Sequence, residues 1–243
     1  MERPTRIGMI VPSSNTCLEP QTYRILGDRS DVTVHFARVE VTRIGLDSGS
    51  ATQFDHESMV EAARLLHTAE VDVIAWNGTA GSWLGPAHDR AMVEQITQRT
   101  GIPATTSTLA YLEAFERFRL NRIALLTPYT SEVNRAIIGV YGQHGIDIVG
   151  ERHLGLEVNE SFARVRPDQL IPISLELATA DAENGPPQAL IYLCTNLYGA
   201  PCVEQVEAQT GVAALDSVAV TLWHCLTMAG VAGIDPRWGR LLA

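Results

Sequence analysis

Basic residues are scarce in this chain. It carries 18 Lys and Arg against 28 Asp and Glu over 243 residues, a formal net charge of −10. No basic stripe interrupts that balance, so the usual electrostatic footprint of a nucleic-acid-binding protein is missing. An acidic chain repels anions at long range, so any anion site must be built locally from backbone N–H groups, helix N-termini and hydroxyls. Long hydrophobic runs are missing too. No stretch approaches the length of a membrane-spanning helix. Residues 7–11 are too short an apolar run for a signal peptide, and Pro12 and Ser13 follow at once. Cysteine is sparse. Cys17, Cys194, Cys202 and Cys225 have no zinc-type spacing and read as reduced thiols of a cytoplasmic protein. The seven histidines form no metal or triad pattern. No cofactor motif is present either. The glycine-rich stretch 77–82 lacks a phosphate-loop lysine, so nucleotide binding is not expected.

What is present is an ordinary globular balance, with 46% hydrophobic and 19% charged residues. That is enough apolar material for a sizeable core. Short β-rich runs alternate with helical patterns. Strands are expected over residues 6–11, 32–38, 71–76, 122–127, 146–150 and 189–193. Helices are expected over 57–70, 89–100, 131–144, 167–180, 201–210 and 222–228. Asp55 is placed to cap the first of these helices, and residues 181–188 read as a surface loop. Alternation of this kind predicts parallel sheets with helices outside.

The pattern restarts half-way. Pro12 and Pro128 both end an apolar strand and lie 116 residues apart, as do Gly78 and Cys194, and Thr79 and Thr195. Two helices end in Thr100-Gly101 and Thr210-Gly211. Four ordered matches indicate a duplicated α/β unit. The expected architecture is therefore two pseudo-symmetric lobes, residues 1–115 plus 217–243 and residues 116–216, with a returning C-terminal helix. Ligands of open parallel sheets bind off the carboxyl ends of the strands. Two facing copies bring the loops 12–16, 77–82, 127–131 and 194–199 around one cleft, with Gly78 opposite Cys194.

Those loops carry the candidate chemistry. Pro12, Ser14 and Asn15 could hold a carboxylate, or simply form a capped turn. Gly78, Thr79, Ala80 and Ser82 form a strand–helix turn that can bring N–H donors to an anion. Cys194 ends an apolar strand beside Thr195 and Asn196. A helix terminus and backbone donors there are expected to lower its pKa. A thiol so placed can exchange a proton with carbon beside a carboxylate, or attack an activated double bond. The Tyr129 hydroxyl could donate to a developing oxyanion. Residues 39–49 are expected to line the pocket for the substrate's side group. Arg38 or Arg43 could meet a second carboxylate, but surface salt bridges are the expected role for both.

The stretches 10–16 (Ile-Val-Pro-Ser-Ser-Asn-Thr) and 193–197 (Leu-Cys-Thr-Asn-Leu) are distinctive. With Gly78-Thr79, Pro128-Tyr129 and Asn159 they resemble the maleate isomerase and arylmalonate decarboxylase branch of the Asp/Glu racemase superfamily. The resemblance covers nearly the whole chain. It implies a two-lobed α/β enzyme without a cofactor, possible homo-oligomerisation, and a small carboxylate or dicarboxylate substrate held between the lobes. It also implies one cysteine per lobe in racemases and isomerases. Cys194 matches the second, and Gly78 stands where the first would be. A glycine facing a lone cysteine is the decarboxylase arrangement, in which hydroxyl and backbone donors hold an enediolate and the cysteine protonates one face. Thr79, Tyr129 and the backbone after Cys194 would be those donors. Ala80 replaces a serine donor, for which Ser82 could compensate. Asn15, Asn159, Thr195 and Asn196 are instead isomerase-like.

Decarboxylation of a substituted malonate is thus the leading expectation. A maleate-type cis–trans isomerase or related racemase is the alternative, and a non-catalytic carboxylate-binding protein is the third reading. Gly78→Cys is expected to add acid–base capacity on the face opposite Cys194.

Overall fold

A computed structural model describes residues 3–179 and 185–243. Two four-stranded sheets account for the strands. The first consists of β1 (Thr5–Pro12), β2 (Val32–Val39), β3 (Val73–Trp76) and β4 (Ala104–Thr106), in the order β2-β1-β3-β4. The second consists of β5 (Arg122–Thr127), β6 (Asp147–His153), β7 (Ala189–Tyr192) and β8 (Ala213–Asp216), in the order β6-β5-β7-β8. Every pairing is parallel. The same order in both halves is what a duplicated unit requires. The central strands β3 and β7 are buried throughout. Strands covered on both faces read as continuous apolar runs, which is why they were recognisable.

Local chemistry sets the helix ends. Asp55 caps helix His56–His67 by accepting from Ser58 N. Thr130 caps Ser131–Gln143 by accepting from Val133 N. Gly101 and Gly211 end Pro86–Thr100 and Ala200–Thr210 in the same left-handed conformation, at φ 72° and 69°. An L side chain is strained there, so glycine is the natural stop. The equivalence of the two glycines extends the repeat into backbone geometry.

Some elements differ from expectation. β4 and β8 are too short to carry a period of their own. Helix Leu18–Leu26 was not anticipated; Pro20 fits because it sits in the first turn, where its missing N–H costs nothing. Helices Gly81–Leu84, Ser107–Phe118 and Asn159–Phe162 were not anticipated either. The last long helix starts at Ser217 rather than 222, because Asp216 accepts from Val218 N and Ala219 N and opens it early. Helix Pro167–Leu177 ends before Ala180; Ala180 and residues 181–184 of the expected surface loop lie outside the described residues.

The helices after β4 and β8 are exchanged between the halves. The Tyr111 hydroxyl, on Ser107–Phe118, donates to Tyr192 O at 2.9 Å and lies 3.1 Å from Ser217 Oγ. In return, Thr221 Oγ1 donates to Ser107 Oγ at 2.8 Å, and His224 Nδ1 lies 3.0 Å from Thr105 Oγ1. These reciprocal bonds hold the strand ends of the two sheets toward each other. Among the described residues, no helix is long and apolar enough to cross a membrane.

Candidate active site

The turns after β3 and β7 meet directly. Thr195 Oγ1 donates to Asn77 O at 3.0 Å, and Asn15 Nδ2 donates to Thr195 Oγ1 at 3.2 Å. Around this junction lies a cavity of about 20 Å³. It is lined by Pro12, Gly78, Thr79, Ala80, Tyr129, Asn159, Cys194 and Thr195 on the polar side and by Val41, Ile44, Phe54, Trp76 and Trp83 on the apolar side. That volume holds about one water molecule, so a substrate enters only if a wall moves. A larger groove of about 430 Å³ runs between Arg90, Arg119 and His144, but no cysteine, serine or threonine lines it.

Cys194 is buried, 3% exposed, and its sulfur accepts from Asn196 N at 3.3 Å. The Tyr129 hydroxyl also hydrogen-bonds this sulfur and lies 2.8 Å from Thr79 Oγ1. Thr79, Tyr129 and Cys194 therefore form one connected polar row. Burial nevertheless dominates the thiol. It pushes the Cys194 pKa up to about 12; the bonds from Tyr129 and Asn196 lower it only partly, and Asp216 raises it further. This reverses the lowered value expected from the strand-end position. The reason is desolvation: a thiolate in a closed apolar site loses more hydration than two donors return. The group is thus a neutral thiol at physiological pH, a proton donor rather than a ready nucleophile. The other three thiols are likewise raised by burial. Cys194 stands apart by its neighbours, not by acidity.

Burial also raises Tyr129 well above the ordinary tyrosine value, so it too is a donor. Among the described hydrogen bonds, the backbone N–H groups of Thr79, Ala80 and Thr195 have no partner. Together with the Thr79 and Tyr129 hydroxyls, they supply donors at a cavity wall where an oxyanion could be held.

Several expected residues do other work. Ser82 is fully buried, pairs with the Tyr141 hydroxyl at 3.0 Å and lies 3.4 Å from Thr108 Oγ1. It does not line the cavity, so it does not replace the donor missing at Ala80. Asn15 Oδ1 accepts from Cys17 N and Leu18 N, closing the turn before helix Leu18–Leu26. Asn196 Oδ1 accepts from Thr16 N and Cys17 N, while its Nδ2 donates to Asn159 O at 2.6 Å. Neither side chain lines the cavity, so these two amides organise loops. Ser14 is set back as well; its Oγ donates to Val41 O and accepts from Asn159 Nδ2 at 2.8 Å. Asn159 itself reaches the wall. Arg38 pairs with Glu19, and Arg43 with Asp47 and Glu157, as expected of surface salt bridges.

Asn196 ties three loops with one buried amide. Asn196→Ala would strand the Asn159 carbonyl and leave Thr16 N without its acceptor, while Cys17 N keeps Asn15 Oδ1. It is expected to cost about 2 kcal/mol, within the range for buried groups left without partners. Denaturant unfolding checks this as a fall in midpoint at constant slope.

The apolar wall is the part least visible in sequence. Residues 39–49 contribute Val41 and Ile44, but Phe54, Trp76 and Trp83 were not singled out in sequence. Phe54 and Tyr129 pack edge-on against Trp83, at centroid distances of 5.8 and 5.3 Å. Buried aromatics beside a cysteine loop are a signal that could have found them. The segment carrying Val41 and Ile44 is strapped to the other half by Ile44 N to Glu157 O (2.9 Å) and Asn159 N to Thr42 O (3.0 Å).

A family model described as arylmalonate decarboxylase matches residues 7–242. The chain belongs to the arylmalonate decarboxylase family. It is 27% identical over 237 residues to an arylmalonate decarboxylase of Bordetella bronchiseptica, covering 97% of this chain and 95% of that one. It is also 27% identical over 249 residues to a maleate isomerase of Pseudomonas putida, covering 98% and 97%. A crystal structure of arylmalonate decarboxylase superposes with a TM-score of 0.80 at 26% identity, covering 98% of each chain. As a member of this family the protein is an enzyme, a carbon–carbon lyase or an isomerase.

Proposed function

We propose that this enzyme decarboxylates an α-substituted malonate without a cofactor and that Cys194 protonates the product. Identity to the two kinds of relative is equal, so the choice rests on the residues. The observation that carries it is a neutral, buried thiol beside a row of hydroxyls, in a cavity whose remaining wall is apolar. One carboxylate of the substrate sits against Thr79, Tyr129 and the free N–H groups. The other sits against Val41, Ile44 and Phe54, where charge is poorly solvated and neutral CO₂ is not. The bond between that carboxylate and the α-carbon breaks. Its electron pair moves into the retained carboxylate and makes an enediolate, which the donors stabilise. The Cys194 S–H then gives its proton to the α-carbon. The resulting thiolate regains a proton from water as the product leaves.

One observation favours a second reading. Asn159 lines the cavity wall, where a second carboxylate could be bound, as a dicarboxylate cis–trans isomerase would need. A panel of substituted malonates and maleate separates the two. CO₂ release from phenylmalonate, with maleate unchanged, is the expected result. Conversion of maleate to fumarate without CO₂ release from any malonate would overturn the decarboxylase reading.

A further inference from the structure

The cavity wall at Gly78 is filled. A Cβ built on Gly78 would overlap Cε2 and Cζ2 of the Trp76 indole and lie 2.8 Å from its Nε1. Trp76 is 1% exposed and ends β3, paired with Ile10 on one side and Thr106 on the other. It therefore has little freedom to withdraw. Gly78 itself has no positive φ, so its backbone does not demand glycine. The demand comes from the indole two residues earlier. Both residues line the same cavity as Cys194. Gly78→Cys alone is thus not the simple addition of a thiol expected from sequence, because its space is already taken.

We propose that Trp76 is a specificity-determining residue: its indole closes the face opposite Cys194, makes proton delivery one-sided and limits the size of the substituent on the reacting carbon. This rests on the reading of Cys194 as proton donor. Racemising a product acid would need a second thiolate on the closed face. It would take the α-proton as the C–H pair moves into the carboxylate, and Cys194 S–H would then protonate the other side of the enediolate. Trp76 excludes that group by volume.

The test compares wild type, Trp76→Leu, Gly78→Cys and the double variant. Gly78→Cys alone is expected to lower Tm by about 5 °C, the scale of overpacking in a chain this size. In the Trp76→Leu background the same change should cost less than half of that shift. The folded double variant should racemise optically pure 2-phenylpropionate about tenfold faster than Gly78→Cys, the scale of one acid–base group added to an otherwise competent site. Trp76→Leu alone should raise the kcat/KM ratio of naphthylmalonate to phenylmalonate by about tenfold, the scale of about one methylene of added room. An equal Tm loss for Gly78→Cys in both backgrounds would overturn the proposal. So would racemisation by Gly78→Cys as fast as by the double variant, or an unchanged substrate ratio in Trp76→Leu. Should the double variant not fold, Gly78→Ala with and without Trp76→Leu reads the same Tm coupling. That coupling needs no activity, so a wild type that releases no CO₂ would sink the decarboxylase reading while still testing Trp76.

Discussion

Cys194→Ala should lose turnover of a substituted malonate by about 10³-fold or more, within the range for removing a positioned acid–base group. Folding should survive. The side chain is small; its removed sulfur leaves Asn196 N without its acceptor, a cost of about 1 kcal/mol, while the Tyr129 hydroxyl keeps Thr79 Oγ1. Cys194→Ser is the sharper comparison. It keeps a hydroxyl near Tyr129 and Asn196 but offers a weaker acid, so it should also fall by about 10²-fold or more. Steady-state CO₂ release with near-native circular dichroism checks both. A Cys194→Ala enzyme that keeps half of its turnover would remove the thiol from the chemistry.

The pH profile carries a second part of that result. The active form is the protonated thiol, and burial holds its pKa near 12. A raised pKa extends the protonated range upward. Turnover should therefore not decline between pH 7 and 9 on account of Cys194, whereas an ordinary thiol would already be about half ionised near pH 8.5. Alkylation by iodoacetamide should be slow across the same window, since the thiolate is the nucleophile. Fast alkylation at neutral pH would mean that the bonds from Tyr129 and Asn196 outweigh desolvation.

Much of the fold was legible because its central strands are buried on both faces and so spell continuous apolar runs, as in Ile7–Val11 or Ala189–Tyr192. The repeat was legible because the cleft loops and the helix stops use residues that backbone geometry restricts, such as Gly101 and Gly211. Cys194 and Thr79 drew attention in sequence because they fall in the turns after equivalent strands of that repeat. What failed was orientation and burial. Sequence gives no sign that Ser82 turns toward Tyr141, or that Asn15 and Asn196 spend their amides on neighbouring loops. It gave the wrong sign for the thiol's acidity, because desolvation depends on walls contributed from positions as far apart as Val41 and Trp83. Trp76 read simply as the last residue of a strand. Its role is visible only through what its ring does to Gly78.

Tyr129→Phe should lower kcat by about 10²-fold, the scale of one lost oxyanion donor, with KM changed much less. The hydroxyl is shared. It bonds the Cys194 sulfur and lies 2.8 Å from Thr79 Oγ1, so its loss affects both the proton donor and the donors that hold the enediolate. The ring is retained, and with it the edge-on packing against Trp83 and Phe162 at 5.3 and 5.6 Å, which keeps the structural cost small. The effect on the thiol has a definite sign. Tyr129 lowers the Cys194 pKa by stabilising the thiolate, so Tyr129→Phe should make alkylation slower still and shift its onset to higher pH. Thr79→Val removes a hydroxyl from the same row but leaves Tyr129 on the sulfur. It should therefore reduce turnover without slowing alkylation. A Tyr129→Phe enzyme whose alkylation profile matches wild type would place the hydroxyl with the oxyanion alone, and an unchanged kcat would take it out of both roles.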